Sequence, residues 1–139
     1  MLQTFEGARM TRANIEGLTT AELVARFSDL ALEQHEAVET FRTARYNRLY
    51  DRIKLIERQL KAREGDQRRA LIPLLDAPNI QVRYMAAYAL LTIVPEQVQQ
   101  ALLRIRQSGH FPQSADASYT LDHFGDSIAQ FLRFEAEGQ

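Results

Sequence analysis

The sequence contains no cysteine. That excludes disulfides, thiolate zinc sites, iron–sulfur ligation and a cysteine nucleophile together, and it suits a reducing compartment. An excess of either charge is missing too. Seventeen basic and 18 acidic residues leave a formal net charge of -1, so no global charge draws the chain to nucleic acid or an anionic membrane. Long apolar runs are also absent. The richest, residues 85–94 (MAAYALLTIV), has Arg83 just upstream and falls short of the roughly 18 residues of a membrane span. At the N-terminus, Glu6 and Arg9 interrupt MLQTFEGARMTR, where a secretory signal needs an unbroken apolar core. The expectation is a cytoplasmic protein with no membrane contact. Met10 is a candidate start beside Met1, because the stretch before it has no periodicity.

Proline and glycine are sparse, and where they are missing is informative. All four prolines lie at or beyond Pro73, and neither residue occurs between Gly17 and Gly65. So long a clear stretch favours helix. Thr19 or Thr20 is a natural N-cap ahead of Glu22. Leu23, Phe27, Leu30, Gln34, Val38 and Phe41 then recur at three- and four-residue steps, and Tyr46, Leu49, Ile53, Ile56 and Leu60 continue the pattern. Two packed helices with a break in 36–43 fit this better than one unbroken helix. Further on, 67–75 reads as a short helix kinked or ended by Pro73, and 76–79 as a turn. Residues 80–94 read as a helix, Pro95 opens another, and a last one covers 114–123. No alternating strand appears.

With 139 residues, 45% of them apolar, the chain can bury a core and suits one domain, 1–139. The predicted class is all-α: an N-terminal helical pair over about 19–63, then stacked helical hairpins over 66–123, a short α-solenoid. The ends, 1–10 and 125–139, are expected to be weakly structured or peripheral. A self-match supports the hairpins. Shifted by 31 residues, Ala70, Leu71, Ile72 and Leu74 meet Ala101, Leu102, Leu103 and Ile105, while Ala86, Tyr88 and Leu90 meet Ala117, Tyr119 and Leu121. A period of that size is that of stacked helical units.

The string ALIPLLDAPNIQVRYMAAYALLTI resembles a single HEAT repeat, through Pro73, Asp76, Val82, Arg83, Ala86, Ala87, Ala89 and Leu90. The resemblance implies a structural role for Arg83, bonding the region of the turn aspartate and tying neighbouring units; a ligand role is the alternative. The second unit keeps only the Ala117, Tyr119 and Leu121 spacing. From about Met10 to His123 the chain also resembles a small bacterial family described only as a domain of unknown function, through TRANIEGLTTAELVARF, GDQRRALIPLLDAPNIQVR and FPQSADASYTLD. That resemblance implies a HEAT-like helical fold and offers no catalytic residue to transfer.

Catalytic signatures are missing. His35, His110 and His123 include no pair at four-residue spacing and no HExxH run, which leaves a metal site unsupported. No serine lies in GxSxG, and no glycine-rich phosphate loop occurs. The expectation is therefore no catalytic residue, no metal and no cofactor. Charge, by contrast, is unevenly distributed: residues 1–41 carry a net -4, 42–69 a net +6 and 70–139 a net -3. Arg45, Arg48 and Arg52 share one flank of their helix, and Lys54, Arg58 and Lys61 the other, with Tyr46 and Tyr50 close by. Such a ridge is a solvated or internally neutralised face, a protein site, or a reader of phosphates. Tyr84 and Tyr88, four apart, with Tyr119 one repeat later, are either packing residues or an exposed aromatic row for binding. The expected function is a non-enzymatic protein-interaction module of the HEAT-like type, an inhibitor or immunity-type binder by analogy, with an acidic or mixed-charge protein as partner. The alternative is a nucleic-acid binder using the basic helix of 42–69.

Overall fold

A computed structural model describes residues 12–137, all in helices and their connections, with no strand among them. The expectations for 1–10, and for Met10 as a start, lie outside the described residues. The helices are α1 (Arg12–Glu16), α2 (Thr20–Glu39), α3 (Thr43–Ala62), a 3₁₀ helix (Gln67–Asp76), α4 (Ile80–Ala89), α5 (Pro95–Ser108), α6 (Gln113–Asp122) and α7 (Phe124–Ala136). None is long and apolar enough to cross a membrane. The chain divides after Ala70 into two compact units, a few residues beyond the seam expected between helical pair and hairpins.

The first unit rests on α2 against α3. Thr19 begins α2 with a reciprocal capping box: its hydroxyl accepts from the Glu22 amide at 3.0 Å, and its own amide donates to Glu22 Oε1 at 2.8 Å. That satisfies two amides a helix start leaves open. Leu23, Phe27, Leu30, Ala31, Gln34 and Ala37 bury one face of α2, and Leu49, Ile53, Ile56 and Leu60 one face of α3. Arg63, just past α3, holds the entry to α2 through a 2.5 Å bond from its guanidinium to the Leu18 carbonyl. The Thr20 hydroxyl donates to Gln67 Oε1 in the 3₁₀ helix. The break between α2 and α3 falls at 40–42, inside the expected window. Phe41, expected on the inner face of α2, lies instead beyond the helix end and is 91% exposed.

Two expectations for the second half change. Residues 67–76 form a 3₁₀ helix; Pro73 has no amide to donate and its ring crowds the carbonyl four residues back, which disfavours the α form. The tail, expected to be weakly structured or peripheral, is a regular helix, α7, none of whose residues is buried. Among the remaining elements, α5 and α6 stand within a residue or so of their expected starts, and α4 ends early. Asn79 caps α4 by accepting from the Gln81 and Val82 amides. The α4 helix stops at Ala89, short of the expected residue 94, and Pro95 takes the first position of α5. Gly109, at φ 68, closes α5 in a left-handed conformation, where glycine meets no Cβ penalty. The α5 helix packs against α6 and α4, and α7 packs on α6.

Candidate interaction surface

Arg83 and Asp76 belong to the scaffold of the second unit. The Arg83 guanidinium donates to the carbonyls of Ala77 and Pro78 at 2.8 and 2.9 Å, fastening the turn ahead of its own helix. The Asp76 carboxylate is reached by Arg104 of α5 at 3.2 Å rather than by Arg83. Val82 and Ala86 are buried, and so is Ala117, one 31-residue period beyond Ala86. Tyr119 departs from the period: it is 65% exposed where Tyr88 is half-buried, and its ring stacks on His123 at 4.3 Å.

Tyr84 and Tyr88 are likewise tied down. The Tyr84 hydroxyl donates to Asp116 Oδ2 and the Tyr88 hydroxyl pairs with Thr120 Oγ1, each at 2.7 Å, and the two rings meet edge to face at 4.9 Å. Burial pushes the Tyr88 phenol above its ordinary value; the bond to Thr120 opposes that, and the Asp116 charge adds to it. Phe131 of α7 lies 6.4 Å from the Tyr88 ring, and Thr92 donates to Glu135 Oε2 at 2.7 Å, so α7 lies along this side of α4. These tyrosines join α4 to α6 and α7 and do not form an open aromatic row. Asp116 and Thr120, their partners, escaped the sequence reading. A signal existed: Gln81 and Gln113, Tyr84 and Asp116, and Tyr88 and Thr120 are all 32 residues apart, and each pair is hydrogen-bonded.

The arginine ridge divides in two. Arg45, Arg48 and Arg52 fall within about 60° of arc around α3, as a 100° step per residue requires. Arg45 turns toward α2, where it reaches Glu33 at 2.9 Å and Glu36 at 3.0 Å. Arg48, Arg52 and Arg42 have no carboxylate partner among the described residues. Arg42 and Arg48 are exposed and Arg52 half-buried. On the other flank, Lys54 pairs with Glu57 at 3.0 Å. Tyr50 is exposed on α3, whereas Tyr46 is half-buried. The net +6 of the basic segment is thus partly neutralised inside the fold, and three of its cations without a carboxylate partner, Arg42, Arg48 and Arg52, lie at the start and in the first half of α3. Of the histidines, His35 lies 3.7 Å from Glu39 one turn along α2. His123 bonds the Tyr119 carbonyl at 2.9 Å.

Residues 21–125 match the family model described as domain of unknown function DUF2019. The chain belongs to the DUF2019 family. The crystal structure of the protein RPA1889 from Rhodopseudomonas palustris CGA009 is similar to it, with 40% identity over 81% of this chain and 93% of that one and a TM-score of 0.77. No curated protein matches the chain. The DUF2019 segment takes in α2 to α6, and with them the turn at Phe41 and all three ridge arginines. All but the first two residues of α7 lie beyond it, so the helix that approaches Tyr88 is outside the family match.

Proposed function

We propose that this chain is a non-enzymatic protein-interaction module of the HEAT-like type, acting as an inhibitor or immunity-type binder, and that it binds an acidic protein surface through the start of α3. The observation that carries the reading is the split of the ridge. Arg45 is consumed by Glu33 and Glu36, while Arg42, Arg48 and Arg52 are left without carboxylate partners. Uncompensated cations on a rigid helix steer an acidic partner and suit Arg-rich interface anchors. The HEAT-like reading is supported by the equivalent burial of Ala86 and Ala117 and by the tie from Arg83 to its turn. The non-enzymatic reading is supported by the use of Tyr84, Tyr88 and Asp116 in bonds that join helices.

The test is capture from the native host with the full chain, beside Arg48→Gln/Arg52→Gln. The double variant should lose the captured partner and melt within about 3 °C of the parent, since neither arginine has a carboxylate partner to lose and surface charges contribute about 0–1 kcal/mol. Retained capture by that variant counts against the reading. One observation favours nucleic acid as a second reading: Tyr50 is exposed on the same basic helix. Phosphate binding would appear as affinity for labelled oligonucleotides that falls steeply and linearly on a log–log salt plot.

A further inference from the structure

The turn between α2 and α3 is a Schellman cap built around the wrong kind of residue. The Arg42 amide donates to the Ala37 carbonyl at 2.8 Å and the Phe41 amide to the Val38 carbonyl at 3.2 Å. The Thr40 amide and hydroxyl both reach the Glu36 carbonyl, at 3.0 and 2.8 Å. In such a cap the residue after the helix end takes a left-handed backbone, and glycine is the usual occupant because it has no Cβ to clash. Here that residue is Phe41, at φ 58, an outlier for a bulky side chain. The ring gains no burial in exchange, being 91% exposed.

Local physics accounts for the other left-handed residues. Gly65 and Gly109 are glycines, and Asp66 is a residue type that tolerates this backbone, its carboxylate bonded to Arg68 at 2.6 Å. Phe111 is also exposed, at 76%, but not on a left-handed backbone. Among the described residues, Phe41 alone combines a left-handed non-glycine backbone with an unburied aromatic ring. Backbone outliers of this kind cluster at functional sites, which makes Phe41 a candidate for one.

We infer that Phe41 is a preformed anchor: the cap holds its ring clear of the hairpin, ready to enter an apolar pocket on a protein partner whose carboxylate-bearing rim receives Arg42 and Arg48. The inference rests on the interaction reading above and adds the contact point and the character of the partner's site. Charge selects the rim. Glu33 and Glu36 are taken up by Arg45 and Glu39 faces His35, whereas Arg42, next to Phe41 in the chain, and Arg48 have no carboxylate partner among the described residues. Preorganisation favours the pocket, because a ring on a hydrogen-bonded cap loses little freedom on docking. Aromatic and arginine side chains together are the commonest interface anchors.

The experiment places the photocrosslinker p-benzoylphenylalanine at position 41 of the full chain in its host cells. The expected adduct is with one protein, mapped to an apolar site flanked by Asp or Glu, and that protein binds the unmodified chain when both are purified. Against this purified partner, Phe41→Gly should weaken binding at least about 30-fold while raising the melting temperature by about 3 °C. Phe41→Tyr should bind within a few-fold of the parent. A merely structural phenylalanine would show the opposite stability change, so a lower melting temperature for Phe41→Gly overturns the anchor. So do an absent adduct and adducts only with nucleic acid, lipid or a second copy of the chain. If Phe41→Gly binds normally and Arg48→Gln/Arg52→Gln does not, the anchor fails and the ridge stands; if both bind normally, both fail.

Discussion

Replacing Ala86 with leucine should destabilise the protein by about 1–3 kcal/mol. Ala86 lies fully buried on α4, on the face that also carries Val82, Met85 and Ala89, and α4 packs against α5 and α6. A leucine there must place three more heavy atoms where a methyl group now fits, forcing off-rotamer side chains or a shift of the helix. Unfolding entropy near the melting point is about 2.1 cal/mol/K per residue. For a chain of 139 residues that makes 1 kcal/mol worth about 3 °C, so the expected loss is about 3–10 °C. The control is Ala115→Leu, at an exposed position in the first turn of α6, where alanine and leucine differ by only about 0.2 kcal/mol in helix propensity. It should melt within about 1 °C of the parent. Ala117→Leu, one period after Ala86 and equally buried, should fall with Ala86→Leu rather than with the control. The assay is thermal and urea unfolding followed by far-UV circular dichroism. Coincident midpoints for Ala86→Leu and Ala115→Leu would refute the claim that the 31-residue period preserves a small residue at a tight helix contact.

Tyr88→Phe removes the partner of the buried Thr120 hydroxyl and should cost about 1 kcal/mol, or about 3 °C. It also changes the alkaline limb. Because the folded Tyr88 phenol titrates above its ordinary 10.0, the native state holds that proton more tightly, and the gain is intact below about pH 10 and lost as pH rises through the folded value. The variant should lose that part of the alkaline destabilisation; an identical alkaline slope in parent and variant speaks against it. The α7 helix has no buried residue, so hydrogen exchange should find its amides less protected than those of α5, and equal protection would contradict the weak docking read from its burial. The ridge and anchor variants complete the set: Arg48→Gln/Arg52→Gln should lose binding at unchanged stability, and Phe41→Gly should lose binding while gaining stability.

Much of the fold was legible because it depends on local rules. An N-cap at Thr19 or Thr20, most of the apolar stripes of α2 and α3 and Pro95 at a helix start are all short-range signals, and the structure has each of them, with Thr19 as the cap. The α7 helix was less legible because its apolar residues, Phe124, Ile128, Phe131, Leu132 and Phe134, do not form a deeply buried stripe; the helix needs Tyr88 and Thr92, over 40 residues away, to give it a side to lie on. For the same reason the sequence leaves Tyr84 and Tyr88 open between packing and an exposed row. Whether Tyr84 is exposed depends on Asp116, and nothing near Tyr84 in the chain announces Asp116. The division of the arginine ridge is also tertiary, since Arg45 finds its carboxylates 9 and 12 residues back, across the hairpin.

Phe41 is the instructive failure. Periodicity placed it on the inner face of α2 because it follows Val38 by three residues, and no glycine, proline or asparagine stands nearby to stop the helix. The stop is made by α3 folding back and by Thr40, whose hydroxyl takes a carbonyl of the last turn. Once the helix ends at Glu39, a phenylalanine two residues later has neither a core to enter nor a backbone it prefers. Where local preference, burial and capping agree, a residue needs no reason beyond the fold; where all three disagree, a functional or strained site is the expectation. Glycine at this position would satisfy the cap, expose no ring and stabilise the chain. The anchor proposed above gives the phenylalanine a surface to meet, and the opposite signs expected for stability and binding in Phe41→Gly follow directly from that conflict.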